Sequence, residues 1–488
     1  MLRWIFLLCF LFLHTACDVS DNKERPDAPV LNPNGQFRAG DEIAPAYDVV
    51  LTATTLLNEP TPVYRFETTA EALSVWRQAA ERPTLLLLSN NPHLQTVPEE
   101  LRKQVSILIN KADAADLAMA TTDRNSDPLL LPGMAVDAAL RSNLFQELIW
   151  VLPLRDPSQE LSLEKFTDQL AESGLANEQE KATLALAEGT FNGTLRDTAF
   201  TAAALPLLQD PTQPVIVHID LSYFQPLYKN EIATPLLDIV FNTLATLKKM
   251  HLQTLAVTFS YGHLDSQISL DVRFLGDIIA YLIEDPARLD QPIPLNWQRQ
   301  RDTLYLSNFF QKEKVWELYK AQEQDAPNEA WVKFNLYRSA AEHKKGRQAL
   351  DYLAEAVSLD YLYALEYQEL SKMAYEKDRP DEAFRILTLS SEAFPHDPFI
   401  KLQMIQLAQS VSKKEAALRL LKQLRSLQWS EFYYPQMPQY LVDLTTFVQT
   451  GEVSVEQSTD SATVENNKGP MVPLPVSDNA RKRLLHNQ

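Results

Sequence analysis

Cysteine and glycine are both scarce: the 488 residues include 2 Cys and 11 Gly. Cys9 and Cys17 both lie near the N-terminus, so the remainder of the chain has no thiol for a structural disulfide or a zinc–thiolate site. With so few glycines the backbone has few places to wrap a phosphate, and neither a Gly-rich phosphate loop nor a nucleophile elbow is visible. Positive charge is in deficit as well. Lys and Arg total 45 against 64 Asp and Glu, a formal net charge of -19. An acidic surface repels phosphate backbones, so no nucleic acid partner is expected. The N-terminal apolar run from Trp4 to Leu13 is too short to span a bilayer.

What the N-terminus does contain is a basic Arg3, that apolar run, and small residues before Cys17, the layout of a secretory signal. The ending resembles the lipobox of bacterial lipoproteins, in which the Cys is acylated and becomes the mature N-terminus. His14 departs from that pattern, which prefers Leu there; Leu13 sits one residue early. The resemblance implies a signal peptide over 1–16, palmitate-type acylation of Cys17, and membrane attachment through buried methylenes. An ordinary cleaved signal, or a cytosolic apolar N-terminus, is the alternative. Asp18 resembles the inner-membrane retention signal of enterobacterial lipoproteins, so the expected location is the cell envelope, facing the periplasm. Residues 17–46, rich in Pro, Asp and Asn, read as a tether, and 451–488 as a disordered tail with a basic end.

The C-terminal third repeats itself. Ala340, Ala374 and Ala408 are evenly spaced, as are Ala349, Ala383 and Ala417, and as are Leu353, Leu387 and Leu421. The segments between them read as helices in which small residues permit close approach. This resembles the tetratricopeptide repeat over about 325–430, with Trp331 and Tyr367 meeting its first-helix aromatic only loosely. An all-α repeat domain over 311–450 is therefore expected. Such arrays present a concave groove to a protein or peptide partner.

Between 47 and 310 the pattern alternates. Apolar runs at 85–89, 105–109, 147–154, 214–221 and 254–260 read as strands, separated by helical segments such as ATPLLDIVFNTLATLKKM. The alternation predicts an α/β domain, a parallel sheet covered by helices.

Two strand ends stand out, LLLLSNNPHL and VIVHIDLSYFQP. Together they resemble the two metal motifs of the arginase and histone-deacetylase superfamily, where one strand ends in Asp-Ala-His-x-Asp and a later one in Asp-x-Asp before Phe-Asp-Pro. Carried over by residue, Ser89 stands at the first Asp, Asn91 at the His and His93 at the second Asp. Asp220 is retained, Ser222 replaces its partner, Gln225 replaces the Asp before Pro226, and Thr69 takes the place of a further His. One carboxylate and one imidazole do not replace several converging anionic ligands. Without the metal no hydroxide forms near neutral pH. The resemblance thus implies an abandoned metal site, with no cofactor and no catalytic residue. With the lipobox and the repeats, the expectation is a lipid-anchored, non-catalytic envelope protein that uses its repeats for protein binding or scaffolding. Two alternatives stay open. SNN is a plain polar turn in one, and in the other a hydrolase uses an altered ligand set, His93, Asp220, His263 and Asp265.

Overall fold

The computed structural model describes residues 51–450, except 113, 123, 157, 158, 160, 230, 232 and 265–267. Cys17, the signal, the tether, the tail and Asp265 lie outside the described residues. The rest divides into two compact units, one of residues 51–121 with 130–363, the other of 122–129 with 364–450.

The first unit is built on a mixed, mostly parallel sheet. In chain order its strands are β1 (Thr54–Thr55), β2 (Val63–Phe66), β3 (Thr84–Leu88), β4 (Glu147–Leu152), β5 (Ala185–Ala187), β6 (Thr190–Leu195), β7 (Thr198–Ala204), β8 (Val215–Asp220) and β9 (Gln253–Ser260). The spatial order is β1-β9-β8-β3-β4-β7-β6-β5, with β2 beside β1 on the free edge of β9. The strands β2, β9, β8, β3, β4 and β7 run parallel, and β1, β5 and β6 run antiparallel to their neighbours. All five residues of β3 and all six of β8 are buried, as covered faces on both sides of a parallel sheet require. From β3 the chain moves outward through β4 and β7, then returns to the other side of β3 as β8. The β3–β8 boundary is therefore the point where the winding reverses, the usual crevice of open α/β sheets.

Two readings are corrected. Residues 105–109, expected as a strand, lie inside the helix Glu99–Lys111. Its buried Val105 and Ile109 are one helical turn apart, while Ile107 between them is 49% exposed, so the period is helical. The sheet is also not purely parallel, because 185–204 forms an antiparallel meander at one edge. Its two-residue turns have positive φ at both places, Glu188 (50°) and Gly189 (76°), then Arg196 (52°) and Asp197 (59°). This is the backbone that matches strand twist. The second turn has no glycine and is held by its side chain. Arg196 pairs with Asp137, and with Glu180 at 2.6 Å.

Helices follow the sheet within the same unit, including Lys312–Asp325, Ala330–Glu342 and Gly346–Leu359. The regular elements of the second unit are all helices: Leu365–Glu376, Pro380–Ala393, Pro398–Ser410, Lys414–Arg425 and Met437–Thr450. Helices starting at Gly346, Pro380 and Lys414 begin 34 residues apart. The same period appears in the turns before them. Lys344, Asp378 and Ser412 all take the left-handed conformation (φ 59°, 61° and 57°). The next residue in each case donates its N–H back to the alanine carbonyl at 340, 374 or 408, at 2.9, 3.0 and 2.8 Å. Each first helix is thus closed by the same C-terminal cap. Ala340, Ala349, Ala374, Ala383, Ala408 and Ala417 are all buried where a longer side chain would hold paired helices apart. Within the second unit the segment 122–129 is tied in by Arg124, which donates to Asp397 at 2.9 Å, while Asp397 caps the helix Pro398–Ser410.

Candidate functional site

The carboxyl ends of β2, β3, β8 and β9 deliver a polar cluster into an otherwise apolar interior. Strand alternation puts His218 and Asp220 on one face of β8, and parallel register sets them beside Thr258 and Ser260 of β9. Ser89 follows β3 directly. Thr69 enters from the short helical turn Thr69–Ala72 after β2, and His93 and Ser222 come from the loops after β3 and β8. Thr69, Ser89, His218, Asp220 and Ser260 are 0% exposed, and His93 and Ser222 only 2%.

Asp220 is the one anion of the cluster, and its neighbours point donors at it. Oδ1 accepts from the Ser222 backbone N–H at 2.8 Å. Oδ2 accepts from Ser260 Oγ at 2.5 Å and from Thr69 Oγ1 at 3.3 Å. Asp220 thereby also caps the turn Leu221–Phe224. The Thr69 hydroxyl is the hub, 3.3 Å from His93 Nε2, 3.3 Å from His218 Nε2 and 3.2 Å from Ser260 Oγ. Behind His218, Nδ1 lies 2.9 Å from Thr258 Oγ1, which accepts from Trp76 Nε1 at 3.0 Å. Trp76 donates to Thr258, and the Thr258 hydroxyl reaches both His218 Nδ1 and the Val217 carbonyl, while His218 Nε2 lies beside the Thr69 and Ser260 hydroxyls that serve Asp220. A buried carboxylate is tolerated because donors replace its water.

The SNNPH loop is folded on itself. Ser89 Oγ lies 3.2 Å from His93 Nε2 and 3.4 Å from Ser222 Oγ. Asn91 Oδ1 accepts from the His93 N–H at 2.9 Å, and His93 sits at φ 51°. The His93 carbonyl in turn accepts from Val136 N–H at 3.0 Å. Burial holds the His93 pKa below its usual value, against the opposing pull of Asp220 and the Pro132 backbone. Burial likewise pushes His218 down to about 3, Asp220 opposing and His93 reinforcing the shift. Both imidazoles are neutral near neutral pH.

This donor set does not fit a catalytic metal. First-row ions take imidazole and carboxylate ligands at roughly 2.0–2.2 Å. Here the space between His93, His218 and Asp220 is filled by the Thr69 hydroxyl, and the remaining groups are neutral alcohols. Among the described residues no three His, Cys, Asp or Glu side chains are placed to hold a metal ion. His263 serves elsewhere: its Nδ1 is 2.8 Å from the Ile268 carbonyl and its ring stacks at 6.2 Å on Tyr261. Burial and the Arg273 guanidinium push its pKa down to about 4.

The positions singled out in sequence meet in space to a large degree. Thr69, Ser89, His93, Asp220 and Ser222 share one hydrogen-bonded cluster. Asn91 braces the loop through His93 N–H. His218 and Ser260 are equal members that sequence reasoning did not place there. Their signal was the i, i+2 spacing of His218 with Asp220 and the matching TFS end of β9, legible only once β8 and β9 are known to be neighbours. No protein-family model matches the chain, and no curated protein matches it.

Proposed function

We propose that the chain is a lipid-anchored, non-catalytic protein of the cell envelope. Its α/β unit is a degenerate relative of the arginase and histone-deacetylase fold, and its helix pairs are tetratricopeptide-type repeats that bind a protein or peptide partner. The observation that carries the non-catalytic reading is the filled cluster. Five positions that the family pattern gives to ligands or their partners converge at the carboxyl edge of the sheet, and four of them carry Thr, Ser, Ser and His around the single Asp220. The groups around Asp220 are hydrogen-bonded to one another and at most 2% exposed, His93 Nδ1 being buried without a partner, so neither a nucleophile nor a substrate surface is exposed. The 34-residue recurrence of helix starts and of left-handed caps supports the repeat assignment. The cysteine at the end of a secretory-type segment supports the anchor.

The test is reconstruction. The parent should show no rise in melting temperature with manganese or zinc. A variant with Ser89→Asp, Asn91→His, His93→Asp and Ser222→Asp, beside the native Asp220 and His218, is designed to bring four carboxylates and two imidazoles together. Repulsion should destabilise it without an ion, and metal should restore it, since a ligand of the folded state stabilises by mass action. Stoichiometric metal in the unaltered protein would overturn the non-catalytic reading. A rebuilt variant indifferent to metal would overturn the family assignment.

A further inference from the structure

At the opposite edge of the sheet the first unit has a half-open concavity of about 480 Å³. Because β3, β4 and β7 are parallel, their amino ends share this edge. Arg82 precedes β3, Ser142 precedes β4, and the Arg196–Asp197 turn leads into β7; the helix Glu99–Lys111 adds Arg102 and Ser106, and the helix Ala135–Arg141 adds Arg141. Four arginines and one aspartate thus line a single concavity in a chain of net charge -19.

The four guanidinium groups are not equivalent. Arg196 is committed to Asp137 and Glu180, and Arg141 shares Asp137 at 2.8 Å. Arg82 and Arg102 have no carboxylate partner among the described residues. Each is instead steadied by one backbone carbonyl: Arg82 donates to Phe145 O at 2.8 Å, Arg102 to Val97 O at 3.4 Å. A guanidinium has five N–H donors and stays charged at any ordinary pH. Both arginines therefore keep most of their donors and their full charge for something else. Other arginines, Arg77 and Arg155 among them, also have no carboxylate partner among the described residues; what sets Arg82 and Arg102 apart is that they line one concavity with Arg141 and Arg196, and so make a local field for an anion.

We propose that this cavity binds a small phosphate monoester of a hydroxylated compound, such as a sugar phosphate. The phosphate goes to Arg82 and Arg102, whose planar forks suit its terminal oxygens, with the Ser106 and Ser142 hydroxyls as neutral donors. Asp197, which also lines the concavity, would repel a second anionic group and accept from a hydroxyl, which favours one charged end and one neutral polyol end over a polyanion. The volume exceeds that of a bare oxyanion and falls among pockets that hold small organic ligands. This assignment is independent of the Asp220 cluster.

The probe is glucose 6-phosphate, titrated calorimetrically into the full chain at fixed ionic strength, with glucose and sodium chloride as comparators. The phosphate ester should bind and glucose should not. Arg82→Gln with Arg102→Gln should weaken binding by at least about tenfold, with the melting temperature near that of the parent because both side chains are exposed. Arg288→Gln, an exposed arginine outside the cavity, should leave binding unchanged. Arg102→Lys, which keeps the charge and loses the fork, should fall between parent and double variant, and serves if the double variant folds poorly. The proposal is overturned if glucose 6-phosphate gives no binding heat. It is equally overturned if Arg288→Gln weakens binding as much as the cavity substitutions do, since that would be screening rather than a site.

Discussion

The hub position of Thr69 can be tested with a substitution that changes chemistry and hardly changes shape. Thr69→Val replaces the hydroxyl by a methyl group in a site with no exposure. The hydroxyl touches four polar partners within 3.3 Å: His93 Nε2, His218 Nε2, Asp220 Oδ2 and Ser260 Oγ. Not all four are lost equally. His218 Nε2 still reaches Ser260 Oγ at 3.2 Å, His93 Nε2 still reaches Ser89, and Asp220 keeps Ser260 and the Ser222 N–H. The net deficit is one donor to a buried carboxylate, about 1.5–3 kcal/mol, with a methyl group now facing two imidazole nitrogens. A loss of about 2–3 kcal/mol is expected. Thr69→Ser is the control: it keeps the donor and deletes one methyl, about 1 kcal/mol with its small cavity. The assay is urea unfolding followed by tryptophan fluorescence, since Trp76 joins the same chain of hydrogen bonds through Thr258. If Thr69→Val unfolds at the parent's urea midpoint, or Thr69→Ser is as damaged as Thr69→Val, the hydroxyl is not what organises the cluster.

Three further outcomes are expected. His218 has a folded pKa of about 3 against an ordinary 6.5, so the unfolded chain binds the extra proton. The stability this gives is present above pH 6.5 and drains as pH falls toward 3, by about 1.4 kcal/mol per pH unit at most. Glu71, raised to about 7 chiefly by burial, acts with the opposite sign between pH 4.5 and 7, so the comparison must be between parent and His218→Gln, whose stability should fall less steeply on acidification; equal slopes would refute the assignment. Ala383→Arg forces a long cation among Ala374, Leu387, Ile400 and Met404 and should cost on the order of 3 kcal/mol, seen as protease sensitivity in 364–450; an unchanged melt would count against close helix pairing there. Cys17→Ser should abolish incorporation of labelled palmitate and leave soluble or unprocessed protein; a fully processed membrane form of that variant would end the lipoprotein proposal.

Much of the architecture was legible locally. Continuous apolar runs such as TLLLL and VIVHI have no solvent face to offer, so they announce covered strands of a parallel sheet. The 34-residue spacing of alanines is a one-dimensional pattern that needs no partner to be seen, and the helices and their left-handed caps obey it. VSILI was misread because five apolar residues carry too little phase: only the distribution of burial over Val105, Ile107 and Ile109 separates helix from strand. The meander over 185–204 escaped notice because its second turn lacks glycine, and the left-handed backbone at Arg196 and Asp197 is secured by carboxylates far away in sequence, Asp137 above all.

The polar cluster divides in the same way. Ser89, His93, Asp220 and Ser222 could be singled out as polar breaks at the ends of apolar strands. That Thr69 would stand between two imidazoles and a carboxylate depended on which strands are neighbours, since β2, β3, β8 and β9 are separated along the chain and meet only through their order in the sheet. Composition and periodicity are properties of the chain read end to end, so sequence alone determines them. Convergence of single side chains, and the gathering of Arg82, Arg102, Arg141 and Arg196 around one concavity at the far edge, are set by distances across the sheet, so only tertiary structure decides them.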